Sequence, residues 1–204
     1  MIPVNFILFI QIILFLFITP GSPRVLIVSY SMIYGIKKTA WTALGDISAN
    51  AVQMIVVTFL IGSLLIQYPQ ILIMMKWLGV SYLVYLSYEL FKTQVKEFNP
   101  LKEITFKNNL SFFRDGFVVA GLSPKALIFF GAIFPNFIDF NKNYILQFLI
   151  LAFTYVVLDF ITLMIYGLGA RKISLWLHTN PKTINLISSA ALLIIALITA
   201  FIKF

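Results

Sequence analysis

The sequence predicts an all-α integral membrane protein, with six transmembrane helices arranged as a 3+3 inverted repeat and the first and fourth helices broken at proline motifs. Three observations carry this. Of the 204 residues, 61% are hydrophobic and only 11% charged, and the mean hydropathy is +0.98. That is far more apolar surface than a soluble domain of this size can bury. Long apolar runs, such as residues 55–66 and 190–202, are the second observation. The third is a pair of helix-breaking clusters about half a chain apart, Thr19-Pro20-Gly21-Ser22-Pro23 and Leu122-Ser123-Pro124-Lys125. Proline supplies no amide donor and displaces the carbonyl a turn earlier. In hydrocarbon, such freed groups survive only inside protein or beside a watery cavity. Interruptions at corresponding places in two halves point to a site where the helices are broken.

At 1.5 Å per residue, a hydrocarbon core of roughly 30 Å takes about 20 residues to cross. The first span covers about residues 4–18, with two readings open: it ends at the interruption, or it continues past it to 34. The second covers about 41–66 and the third about 69–91. A polar stretch then separates two halves: repeat 1 is about 1–92, a cytoplasmic loop about 93–111, and repeat 2 about 112–204, all in one domain, 1–204. The fourth span, about 112–135, is broken at Ser123-Pro124, and the fifth covers about 144–169. The sixth, about 181–202, has Asn180 as N-cap and Pro181 at its first helical position. An odd number of spans per half inserts the second half upside down.

Lysines and arginines set the orientation. The odd loops hold Arg24, Lys37, Lys38, Lys92, Lys96, Lys102, Lys107, Arg114, Arg171, Lys172 and Lys182, against Lys142 and Lys203 on the other side. Eleven against two places the odd loops in the cytoplasm and both termini outside a bacterial inner membrane. The net charge of +8 is therefore topological, and no nucleic-acid partner is expected. No positive region or small-residue cleavage site marks the first apolar run as a removable signal. Zero cysteines exclude disulfides, thiolate metal sites and thiol–disulfide electron transfer. With a single histidine, His178, and few carboxylates, no metal cluster, cofactor or enzyme activity is expected.

A charge at bilayer depth costs at least about 2.5–3.5 kcal/mol, so it normally faces a bundle interior or a water-filled path. Asp46 lies in the second span on a polar stripe with Thr42, Ala49, Asn50 and Gln53. Tyr155, Asp159, Thr162 and Tyr166 form another stripe in the fifth. Two readings stay open for each aspartate. Asp46 either takes the coupling proton or reaches back to Lys37 or Lys38, and Asp159 either takes the proton or is a structural partner in the core. Lys125, at the second break, would neutralise an aspartate or bind a carboxylate. Lys76 reads as snorkelling outward beside Trp77. Arg24 reads as an ordinary cytoplasmic charge if the first span ends at Pro20, and Gly35, Gly45, Gly62 and Gly79 as close-packing positions.

Four motifs, in order, resemble the LysE/RhtB family of amino-acid exporters, the homoserine/threonine/leucine/lysine efflux type. They are Pro20-Gly21-Ser22-Pro23 with downstream Gly35 and Gly45; Lys76-Trp77-Leu78-Gly79 with Tyr82-Leu83; Phe117 through Leu122-Ser123-Pro124-Lys125 to Phe134-Pro135-Asn136-Phe137; and Asp159 with the stretch 166–176. Ser123 stands where many members have asparagine, and Arg24 is not a family feature. The resemblance implies efflux of amino acids or their derivatives, coupled to the proton gradient.

The expectation is a secondary transporter exporting an amino acid by proton antiport, with the lipid bilayer, the amino acid and the proton as partners and a homo-oligomer compatible. The expected substrate site is Pro20, Gly21, Ser22, Pro23, Asn50, Ser123, Pro124 and Lys125, with Asp46 or Asp159 carrying the proton. Export of a metal or inorganic cation is the alternative, and two separated aspartates make a poor cage for it.

Overall fold

The computed structural model describes residues 3–19, 21–61, 68, 70–92, 107–173 and 181–201. The described residues are helical throughout, without a strand. Helix α1 (Phe6–Ile18) is followed by α2 (Ser22–Tyr34), their axes 54° apart. Gly35 ends α2 with φ +80° and ψ 162°, a conformation reserved almost entirely for glycine. It also starts α3 (Ile36–Ile55), five residues before the expected span, and α3 runs on into a π-helical stretch, Val56–Ile61. Helix α4 spans Gln70–Lys92. Helix α5 (Asn109–Gly121) is capped by the Asn108 side chain, which accepts from the Ser111 amide. Leu122 and Ser123 separate it from α6 (Pro124–Ile128), which continues through π-helical and 3-10 turns to Phe137. The two parts of this second pair meet at 61°. Helices α7 (Tyr144–Leu168) and α8 (Pro181–Phe201) follow. Asn180, Gly62, His178 and Pro20 lie outside the described residues.

Two continuous helices, residues 36–59 and 144–168, are long and apolar enough to cross a membrane, and each bent pair qualifies when taken as one span. Apolar side chains fill the core and also cover the outside, while the carboxylates of α3 and α7 are buried. Phe153 and Phe201 are 73% and 81% exposed, while Asp46 and Asp159 are 1% and 0% exposed. A hydrocarbon solvent accounts for both facts, since it welcomes apolar side chains and strands ionisable ones.

The tightest contact joins α3 and α5, which run in the same direction, Thr42 and Gly45 meeting residues 113–117 and Ala49 and Gln53 meeting Gly121. A Cβ on Gly45 would fall 1.9 Å from the Phe113 carbonyl oxygen, and one on Gly116 would fall 2.0 Å from that of Thr42. Close packing at Gly45 is thus as expected, whereas Gly35 meets nothing within 4 Å and serves its backbone angles instead. On the other side of the molecule α4 packs along α8, where the Ser87 hydroxyl donates to the Ser189 carbonyl at 2.8 Å. An aromatic core fastens α1 to the α6 segment and α7. Phe9 contacts the rings of Phe129, Phe134 and Phe137, while Phe17 and Phe130 both pack on Tyr155. At the far end of α2, Lys107 donates to Tyr30 at 2.5 Å and to Asp115 at 2.6 Å, tying α2 to α5.

Candidate functional site

The two bends meet, and the chemistry of proline explains how. In an unbroken helix the carbonyls of Leu16 and Thr19 would accept from the amides of residues 20 and 23. Both positions are proline, which has no N–H. The Lys125 ammonium, arriving from the second bend, donates to those same two carbonyls, at 2.7 and 3.1 Å. The Tyr166 hydroxyl donates to the carbonyl of Ile18 at 3.0 Å and lies 3.3 Å from that of Phe17. The second bend is served in return by α3, whose Gln53 amide donates to the Gly121 carbonyl at 3.0 Å. Each element that the sequence leaves short of hydrogen bonds is completed by a polar side chain from another.

Beside this junction lies a buried charge cluster. The Arg24 guanidinium, one turn into α2, donates to the Asp159 carboxylate of α7 and stacks 5.0 Å from the Phe17 ring. The Asn50 amide of α3 donates to Asp46 and to Asp159, both at 2.9 Å. The stripes on α3 and α7 therefore face one another across a shared asparagine. Nine buried polar atoms find no partner among the described residues, among them Arg24 Nε, Thr42 Oγ1, Asp46 Oδ2, Asn50 Oδ1 and Gln53 Oε1. Four of these nine belong to the α3 stripe. Groups of this kind are costly in a dry core.

A cavity opens at the cluster, lined by Leu16 of α1, by Gly21, Pro23 and Arg24, by Asn50, by Ser123, Lys125 and Ala126, and by Tyr155. It has room for about one or two waters. Of the expected site residues, Gly21, Pro23, Asn50, Ser123 and Lys125 line it, whereas Ser22 is exposed. Pro124 contributes backbone at the start of α6, and Pro20 is outside the described residues. Asp46 and Asp159 sit one layer behind, bonded to the lining residues Asn50 and Arg24.

Three expectations change. Arg24 is 6% exposed and ion-paired, so it is not a loop charge; without it the orientation count is ten against two. The signal for it was present: two carboxylates in apolar helices demand a buried cation. Asp46 does not reach back to Lys37 or Lys38, which are exposed while it is buried on the α3 stripe. Lys76 is 7% exposed, its ammonium 5.4 Å from the Trp77 ring, and so is covered by protein instead of lying outward. Among the described residues, no three His, Cys, Asp or Glu side chains gather into a metal-binding group.

A helical protein that turns apolar side chains outward and gathers ionisable ones where two bent helix pairs touch has the build of a membrane translocator. The chain belongs to the LysE type translocator family, whose model matches residues 14–201. It is 28% identical over 165 residues to an uncharacterized membrane protein of Vibrio cholerae, covering 79% of this chain and 78% of that one. It is 25% identical to a homoserine/homoserine lactone efflux protein of Salmonella typhi (85% and 83% covered). To a leucine efflux protein of Klebsiella pneumoniae the identity is 22% (89% and 86% covered). No solved structure matches the chain significantly.

Proposed function

We propose that this chain exports an amino acid or close derivative across the bacterial inner membrane by proton antiport. It would do so as a single domain of six spans in two inverted repeats of three, both termini outside. In this reading each bent pair is one broken span and the cavity between them is the substrate site. The observation that carries it is the buried Arg24–Asp159–Asn50–Asp46 cluster against the junction of the two bends. Membership of a translocator family and the efflux names of two relatives support export.

The cluster suggests a division of labour. Asp159 is held by Arg24 and Asn50, with a full counter-charge in contact. Asp46 accepts from Asn50 and lies against the Asp159 carboxylate, with no cation bonded to it among the described residues and one buried oxygen left over. Asp46 is accordingly the proton carrier: it holds either a proton or, through Asn50, the ammonium of the substrate. Mutual exclusion of the two is what antiport requires. Moving one charge through 100 mV is worth about 2.3 kcal/mol, so one proton sustains roughly a fiftyfold gradient. An amino acid outgrows the room for one or two waters, so loading spreads the two bends apart, and Lys125 is the strap that gives.

Efflux profiling tests the reading. Cells overproducing the protein, loaded with a dipeptide mixture, are expected to release at least one amino acid faster than cells carrying an empty vector. Identical release of every amino acid contradicts it.

A further inference from the structure

We infer that the cavity selects for a free α-carboxylate on a small, uncharged amino acid, with Arg24 as the residue that reads it. This rests on the export reading and names its substrate class. The lining is chemically one-sided. Its two charged side chains, Arg24 and Lys125, are both cationic, and the carboxylates stand behind them. Arg24 is 94% buried by its 6% exposure, and its Nε has no partner although Asp159 takes another of its nitrogens. Lys125 spends two of its three ammonium protons on α1. The 13-residue helix α2 starts at this same wall with no side chain capping its first amides, which leaves backbone donors and a positive dipole end facing an anion. A second, independent feature points to a zwitterion. Asn50, 2% exposed, lines the cavity with Oδ1 unpartnered, and its amide group is held on two carboxylates. That oxygen is an acceptor for an ammonium.

A zwitterion thus has one orientation: carboxylate toward Arg24 and the start of α2, ammonium toward Asn50 with Asp46 behind. The remaining walls, Leu16, Ala126, Tyr155 and Ser123, offer mostly apolar surface, one serine hydroxyl and no carboxylate to a side chain. A basic side chain would add a third cation beside Arg24 and Lys125. An amide, ester or lactone lacks the anion and leaves Arg24 Nε and the α2 amides without a partner, the kind of mismatch that buried polar sites reject most strongly.

The test is counterflow in proteoliposomes of the full chain, using labelled leucine, threonine and homoserine. The competitors are the unlabelled acids, leucinamide, leucine methyl ester, homoserine lactone and lysine. The expected result is exchange of at least one labelled acid, inhibited by its free form at least about a hundredfold better than by the amide, ester, lactone or lysine. Inhibition by amide, ester or lactone within tenfold of the free acid overturns the carboxylate reading while leaving export standing. Exchange of none of the labelled acids overturns both. The double variant Arg24→Gln/Asp159→Asn removes the ion pair without stranding either charge. It is expected to lower the preference for acid over amide at least tenfold, and an unchanged preference in folded double variant overturns the role of Arg24.

Discussion

At the scale of single residues, the protein substitutes side chains for missing main-chain groups. Lys125 answers the two carbonyls that Pro20 and Pro23 leave over, and in doing so fixes where the bends lie relative to each other. Lys125→Met keeps the stem and removes the donors. It is expected to cost about 1–3 kcal/mol for each carbonyl left dry, read as a lowered Tm of the detergent-solubilised protein; an unchanged Tm would show the carbonyls are satisfied otherwise. Much of this chemistry was legible beforehand. Asp46, Asp159 and Lys125 stood out because each interrupts an apolar stretch. Arg24 was misread because its place among loop cations competed with its place just past a helix break. Only pairing with Asp159, 135 positions away, decides between them, and no local pattern encodes that.

At the scale of elements, glycines mark what each helix must do. Gly45 and Gly116 let α3 and α5 touch backbone to backbone, and that contact holds the α3 stripe against the cavity. Alanine at either is expected to cost about 3 kcal/mol or more, because a backbone neighbour cannot move aside as a side chain can. Gly35→Ala meets open space and carries only backbone strain, about 1–3 kcal/mol. Comparing folded yields and Tm across the three variants checks the order, with Gly35→Ala expected as the mildest. Gly116 went unnoticed in the sequence, since a glycine in an apolar helix carries no sign of its partner. Likewise α3 starts at Ile36 and not Trp41, because Lys37, Lys38 and Thr39 hide the apolar period of its first turn.

The loop before α7 carries its own pH signature. Asp139 is held below the usual carboxylate range chiefly by its contact with Lys142 at 2.8 Å; burial opposes this, and the Asn141 amide adds a smaller lowering effect. A lowered folded value means the contribution is present at neutral pH and is lost as pH falls through that value. Lys142 is 72% exposed, so the loss is small, about 0.5 kcal/mol. Asp139→Asn is expected to flatten the acid limb of a Tm-against-pH curve and to leave its alkaline limb unchanged.

At the scale of the whole molecule, the composition and apolar runs were enough to predict an all-helical membrane protein, because hydrocarbon permits so few backbone solutions. What pattern could not give is which polar faces meet. Stripes on α3 and α7 are each visible in sequence, but that Asn50 joins them, and that Lys125 crosses to α1, are properties of packing.

The central claim is that proton and substrate exchange places at the cluster between the bends. Its most direct test uses proteoliposomes loaded with the exported amino acid and a lumenal pH dye, diluted into more acidic buffer. The account predicts that efflux speeds up with the imposed gradient and that the lumen acidifies in step with the amount released. It also predicts that Asp46→Asn abolishes that acidification while exchange at equal pH persists at a reduced rate. Efflux with no accompanying proton uptake, or acidification undiminished in Asp46→Asn, would contradict it.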